Sequence, residues 1–216
     1  MTLSEAIVQR HSVRKYQDRP ISNIARILLE ECISRCNSDS GLHIQLVTDE
    51  RKAFGLMFKG VSNYIVLVGK DDDKLDELCG YYGEKIVLFA QQLGLNTCWA
   101  GITNADKVHA FSLDEGEVYK ISIAVGYGES QGSDRSTKVL EDVSKTHGDL
   151  PAWYVQGIEA ALLAPTAMNQ QAFRFELTED GHVKATTRRA PYANIDLGIA
   201  KYHFEIGSGK DPSVWA

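Results

Sequence analysis

Nowhere does the chain carry an apolar run approaching the roughly 20 residues that a bilayer-spanning helix needs. Residues 1–10 show no charged stretch followed by an apolar one, so no signal peptide is legible and a cytoplasmic location is expected. Surplus positive charge is also missing: 23 basic side chains stand against 29 acidic ones, a net charge of −6. That balance argues against a nucleic-acid binder, although basic residues can still gather around a single phosphate. No Gly-x-Gly-x-x-Gly occurs, so the Rossmann dinucleotide fingerprint is absent. Cysteine is scarce, at four residues, Cys32, Cys36, Cys79 and Cys98. Cys32 and Cys36 fall i, i+4 on an expected helix with no His or Cys at metal-ligand spacing, so a structural role and no metal site are expected.

What is present is ordinary for a globular protein: 216 residues, 44% hydrophobic and 24% charged, enough for one good-sized core. Residues 3–10 read as a short helix, and a polar segment, 10–20, leads to a second helix over 22–36 that Ser22 can cap. Leu42, Ile44 and Leu46 alternate as a strand does, and the apolar run 63–69 suits a central strand. Residues 81–94 read as a buried helix ending at a glycine, and 119–126 as another strand. A polar link, 129–149, precedes a helix over 151–163 with Pro151 in its first turn. Phe173, Phe175 and Leu177 alternate again, 182–187 can pair with them, and 195–206 is the last helix. Helices and strands mix without a βαβ rhythm, which favours α+β. A faint repeat is visible as well. Shifted by 131 residues, Leu42, Ile44 and Leu46 fall on Phe173, Phe175 and Leu177; shifted by 118, Gly80, Ile86 and Leu88 fall on Gly198, Phe204 and Ile206.

Three segments carry chemistry. In Arg10-His11-Ser12-Val13-Arg14 the alternate positions Arg10, Ser12 and Arg14 share one side of an extended chain, two guanidinium forks and a hydroxyl suited to a phosphate. The same residues also read as a solvated basic turn after a helix. Residues 164–175 run from a helix end at Pro165 through small and amide side chains to an aromatic strand. Amides offer both donors and acceptors to the edge of a heteroaromatic ring, or simply close a loop. Residues 93–102 read as a helix end and a small-residue turn, where Gly101 lets backbone approach a ligand or serves a tight loop.

Taken together these segments resemble the nitroreductase family. Arg-x-Ser-x-Arg-x-Tyr is similar to its FMN-phosphate segment. Ala-Pro-Thr-Ala-x-Asn-x-Gln-x-x-Arg-Phe resembles its Pro-Ser-x-x-Asn-x-Gln-Pro-Trp-x-Phe loop, and Leu-Gly-Leu-Asn-Thr-Cys-Trp-Ala-Gly its flavin-side Gly-Leu-Gly-Thr-x-Trp-x-Gly. Ala-Val-Gly-Tyr-Gly with Arg135 and Lys138 is similar to its terminal strand and final basic residues. The resemblance implies an α+β nitroreductase-like fold, with helices flanking a mixed central sheet. It also implies FMN held by Arg10, Ser12 and Arg14, with Lys138 and Arg135 assisting and His11 acting through its backbone. Trp99, Ala100 and Gly101 lie against the ring, as do Pro165, Thr166, Ala167, Asn169 and Gln171. The implied reaction carries hydride from NAD(P)H through FMN to a small electrophile, nitroaromatic or quinone, by a ping-pong scheme with no obligatory acid or base side chain. Lys59 reads as a surface residue.

One departure is informative. In this family the Pro-Ser loop follows soon after the phosphate segment and is supplied to the neighbouring subunit of an intertwined dimer. Here it appears only at Pro165, after the final basic residues. The expectation is a single domain, 1–216, of two intertwined pseudo-symmetric halves, about 1–148 and 149–216. One FMN per chain is expected, in a monomer, with a homodimer as the alternative. Two other readings stay open: an FMN-binding member with non-reductase chemistry, and an inactive flavin-binding or structural member.

Overall fold

The computed structural model describes residues 1–108, 110–146 and 148–216. Thr2 closes a capping box with Glu5 and starts α1 (Leu3–Gln9). Ser22 accepts from the Ala25 amide and starts α2 (Asn23–Ser40). Its buried stripe, Ala25, Leu29, Cys32, Ile33 and Cys36, has helical spacing, and the helix runs past residue 36 to a left-handed Gly41. The chain continues through β1 (Gln45–Val47), β2 (Tyr64–Lys70), α3 (Leu75–Gln92), β3 (Asn96–Ala100), α4 (Ala105–Val108) and β4 (Glu117–Gly126). Then follow α5 (Leu140–Val143), α6 (Ala152–Leu162), β5 (Phe173–Leu177), β6 (Val183–Thr187) and α7 (Ala193–Ser208).

The main sheet has the order β1-β2-β4-β3, with every named pair antiparallel. Parallel pairing enters through isolated bridges, Ser12 to Thr97 and Lys15 to Lys59, so the mixed character of the sheet rests on the N-terminal segment. The apolar run 64–68 is fully buried at the sheet centre. Among the described residues no helix is long and apolar enough to cross a membrane.

Some boundaries differ from the sequence-based expectation. β3 was expected as a turn; Asn96, Thr97 and Cys98 lack a strand signature, but pairing with β4 supplies one, a tertiary override of local preference. α3 begins at Leu75 rather than at 81, with Asp76 and Glu77 favourably placed in its first turn. β1 is short: Leu42 and Ile44 are buried but stand outside the ladder. The polar link 129–149 contains α5.

The order helix, strand, strand, helix occurs twice, as α2–β1–β2–α3 and as α6–β5–β6–α7, with an antiparallel strand pair in each. α3 and α7 cross with their backbones touching. A Cβ on Gly80 would stand 2.0 Å from the Ile195 carbonyl oxygen, and one on Gly198 would stand 2.1 Å from that of Glu77. The 118-residue shift that carries Gly80 onto Gly198 also carries Glu77 onto Ile195, so the contact is reciprocal, as a two-fold axis requires. Leu29 and Ile86 share one core with Tyr154 and Phe204, so both parts of the chain build a common interior.

Candidate functional site

Beyond α1 the chain is extended, and Val13 donates its amide to the Thr97 carbonyl while Lys59 donates to that of Arg14. This pins residues 12–16 beside β3. Alternation buries Val13 and sends Ser12 and Arg14 to the wall of a cavity of about 260 Å³. Trp99, Ala100 and Gly101 from the end of β3 and Pro165, Thr166 and Ala167 from the loop after α6 line the same cavity. Three distant segments singled out by sequence thus meet at one place. Met57, Phe58, Ile102, Met168 and Tyr192 complete an apolar rim, with Met57, Ile102 and Met168 at 70, 83 and 81% exposure.

Other expected residues stand behind these walls. Arg10 is buried, with its Nε 3.8 Å from Glu84 Oε1 and without a hydrogen-bond partner among the described residues. Burial lowers its pKa, and the Glu84 carboxylate opposes that. Arg135, whose pKa is lowered by burial and by the nearby Arg10 charge, donates to the Asn169 side chain and, at 2.7 Å, to the Ala164 carbonyl. Lys138 spends its ammonium on the Gln170 and Gln171 carbonyls, both at 2.8 Å, and its amide on the Gln171 side chain. Asn169 also donates to the Ser136 carbonyl. Arg135, Lys138, Asn169 and Gln171 therefore lock the 165–171 loop onto the 135–138 segment and do not line the cavity. The His11 ring lies between the Gln9 carbonyl and Asp134, and Lys59 forms an exposed ion pair with Glu129.

Backbone strain gathers at this site. Five non-glycine residues have positive φ among the described residues, and four of them, Met168, Asn169, Gln171 and Tyr192, belong to the cavity loop or its rim. Such conformations cost roughly 1–3 kcal/mol each and persist where surrounding contacts enforce them.

Three side chains at the site were not singled out by sequence. Asp196, in the first turn of α7, lines the cavity and accepts from the Ala167 amide at 3.0 Å and from Gln170 Nε2 at 2.6 Å. Burial pushes its pKa up to about 6, against the pull of those two donors. Tyr192 lies across Gly101, donating its hydroxyl to that carbonyl at 2.9 Å. Glu84 is fully buried, meets His203 Nε2 at 2.8 Å and accepts from Trp99 Nε1 at 2.9 Å, so it sets the Trp99 ring and faces Arg10. The available signal was a carboxylate inside a buried helix, which is rarely left unpaired. All four cysteines are free and buried.

A second cavity, about 420 Å³, opens at the start of α3 and is lined there by Lys74, Glu77, Leu78 and Tyr81. Under the 118-residue shift these are the counterparts of Tyr192, Ile195, Asp196 and Ile199, which line the first cavity. Its chemistry differs: Lys201 bridges to Glu77 at 2.6 Å beneath Trp215, and no arginine lines it.

Residues 2–208 match the model of a family described as "Putative TM nitroreductase". No curated protein matches. A solved structure from Thermotoga maritima, described as a putative nitroreductase, aligns at a TM-score of 0.66 and 26% identity, covering 96% of this chain and 83% of that one. A Desulfovibrio desulfuricans protein described as a putative nitroreductase in complex with FMN aligns at 0.56 and 19% identity, covering 70% of this chain and 99% of its own. A Parabacteroides distasonis protein, described as a putative NADH dehydrogenase/NAD(P)H nitroreductase, aligns at 0.54 and 20%, covering 68% and 97%.

Proposed function

The chain belongs to the family described as "Putative TM nitroreductase", and on that premise we propose that it is an FMN-dependent oxidoreductase carrying hydride from NAD(P)H to a small electrophile such as a nitroaromatic or a quinone. The observation that supports this reading is the convergence of segments 12–14, 99–101 and 165–167 on one cavity. When bound, FMN supplies the two-electron chemistry, taking hydride from the reductant and passing it to the acceptor in turn.

The residues present suit that group. The Arg14 guanidinium has neither a hydrogen bond nor an ion pair among the described residues, and Arg10 holds a buried orphan Nε. The Arg14 guanidinium beside the Ser12 hydroxyl fits a phosphate dianion, with the buried Arg10 and Arg135 adding positive charge behind the wall. Lys138, Asn169 and Gln171 serve by holding the loop rather than by meeting the cofactor. Trp99, Ala100 and Gly101 on one side and Pro165, Thr166 and Ala167 on the other form the walls against the ring. The enclosed volume is just below the usual range of roughly 300–1,000 Å³ for ligand pockets, so part of a ligand the size of FMN lies in the open mouth. The apolar rim of Met57, Ile102, Met168 and Tyr192 excludes water from that mouth.

The chain acts as a fused pseudo-dimer with one FMN, and as a monomer. The reciprocal α3–α7 crossing supports this reading. So does coverage: about 70% of the chain accounts for 99% of the Desulfovibrio protein. The second cavity has no arginine in its lining and holds a Lys201–Glu77 bridge instead, so it lacks the guanidinium fork that the first offers a phosphate. The test is an absorbance spectrum of the purified protein before and after anaerobic NADH or NADPH. About one flavin per chain that bleaches supports the reading. Yellow protein that does not bleach removes the reductase, and colourless protein that ignores added FMN removes the cofactor. A ratio near two, or an obligate dimer, removes the fused pseudo-dimer.

A further inference from the structure

Arg174 follows the cavity loop in sequence, and its side chain is not used by the site described above. It is 8% exposed, and its one hydrogen bond runs to the neighbouring Phe173 carbonyl at 2.7 Å, which leaves most of its five donors unspent. Arg174 lines a separate cavity of about 450 Å³ where α5 faces the β5–β6 hairpin, together with Lys145, Arg188, Ser144, Thr186 and Thr187. Among the described residues neither Arg174 nor Arg188 has a carboxylate within ion-pair distance, and Lys145 meets Glu176 loosely at 3.7 Å. Two acids, Glu141 and Asp142, share the wall. Asp142 is engaged in capping α5, where its Oδ2 accepts from the Val139 amide at 3.3 Å.

The cations there repel one another. Burial lowers the pKa of Arg174, and the Arg188 charge lowers it further; Lys138 is lowered in the same way by burial and by both arginines. Asp142 opposes these shifts only from beyond ion-pair distance; a largely buried guanidinium held among like charges without a paired carboxylate is costly, and an anion relieves it. A phosphoryl group matches the donors best, because guanidinium forks and hydroxyls together satisfy its oxygens.

We propose that this cavity is an anion site for a phosphoryl or pyrophosphoryl group, gripped by Arg174 and Arg188 with help from Thr186, Thr187 and Lys145. Two sources share that chemistry: a free phosphorylated metabolite, and the phosphates of the reductant. The second is within reach, since Arg188 and Tyr192 are four residues apart and no more than about 14 Å of extended chain separates them. That assignment, unlike the site itself, rests on the function proposed above.

Thermal unfolding of the full chain with inorganic pyrophosphate, against sodium chloride of equal ionic strength, tests the site. The expected result is a saturating rise in Tm that is lost, or shifted at least tenfold in concentration, in Arg174→Gln and in Arg188→Gln. Lys184→Gln, an exposed cation on the same hairpin outside the cavity, keeps the wild-type response. Arg188 is exposed, so its variant tests the site even if Arg174→Gln fails to fold. No saturating rise in the wild type, or an equal response in Arg188→Gln, overturns the proposal and leaves the flavin reading intact. The kcat/KM values for NADH and NADPH separate the sources. A fall of at least tenfold for either reductant in Arg188→Gln, with FMN affinity unchanged, assigns the site to the reductant. Unchanged values for both assign it to a separate phosphorylated ligand.

Discussion

Asp196 offers the sharpest physical test, because its carboxyl is at once part of the cavity wall and an anchor of the strained 165–171 loop. Burial moves its pKa from an ordinary 3.8 to about 6. A displacement of that size costs the ionised form about 3 kcal/mol relative to the unfolded chain. The direction follows from proton uptake. Between pH 3.8 and about 6 the folded protein binds more protons at this group than the unfolded one, so stability falls as pH rises through that window. Above about pH 6 the full cost is present; below 3.8 it has vanished. Asp196→Asn keeps one carbonyl oxygen for the Ala167 amide and the Gln170 side chain but never ionises. Its stability relative to wild type should therefore climb by about 3 kcal/mol between pH 3 and pH 7, on top of any pH-independent offset. At about 2–4 °C per kcal/mol for a chain of this size, that is a differential Tm change of roughly 6–12 °C. Thermal or urea unfolding of the two apo proteins across this pH range measures it. Parallel pH profiles for wild type and variant would refute the reasoning, since they would mean that Asp196 titrates alike in both states.

The remaining predictions concern other parts of the same framework. Arg14→Ala should weaken FMN binding by about 10- to 150-fold, the equivalent of about 1.5–3 kcal/mol for a charge-assisted bond, read by flavin fluorescence titration. An unchanged Kd counts against the phosphate assignment. Gly80→Ala and Gly198→Ala each drive a methyl group into the facing helix backbone and should each cost about 1–3 kcal/mol or more in urea unfolding. Wild-type stability in both would refute the close α3–α7 crossing. Glu84→Ala should cost about 3–5 kcal/mol by stranding buried charge, and combining it with His203→Ala should cost less than the two single effects added. Strict additivity would show that the 2.8 Å contact carries no coupling.

Periodicity and caps made much of the fold legible before any coordinates. The Ser22 cap, the apolar run of β2 and the Phe173–Leu177 alternation are local signals, and each marks the element it belongs to. β3 was not legible because its pairing lies with β4, some 20 to 30 residues away in sequence, and with the still more distant segment at Ser12. The cavity was legible in part. Ser12, Arg14, Trp99 to Gly101 and Pro165 to Ala167 were singled out by motif, and they meet. Arg135, Lys138, Asn169 and Gln171 carry the same motifs, yet they face one another behind the wall, because which side of a loop an amide turns to depends on contacts that no spacing encodes. Asp196 and Tyr192 were illegible for a related reason: they reach the cavity from the start of the last helix, through a loop with left-handed Tyr192 at its end.

On the fused pseudo-dimer reading proposed above, internal duplication explains why such asymmetry can exist at all. In a symmetric homodimer any substitution appears in both sites, so a residue that improves one cavity must be tolerated in the other. Fusion removes that constraint. At four paired positions the two cavities now present Tyr192 against Lys74, Ile195 against Glu77, Asp196 against Leu78 and Ile199 against Tyr81. The first set anchors a loop and lines an apolar wall. The second set places Glu77 where Lys201 can neutralise it and Tyr81 where its hydroxyl meets Glu205 at 2.6 Å. A carboxylate already paired with lysine, beside another already satisfied by Tyr81 and Trp215, gives this cavity a different charge pattern, in which Lys74 stands outside any ion pair among the described residues. The shared α3–α7 crossing, by contrast, retains glycine on both sides, because backbone contact across a two-fold permits no divergence there. Divergence at the cavities with identity at the axis is the pattern that fusion followed by specialisation of one site produces. It ties the proposed single flavin per chain to the geometry of the helices that carry both cavities.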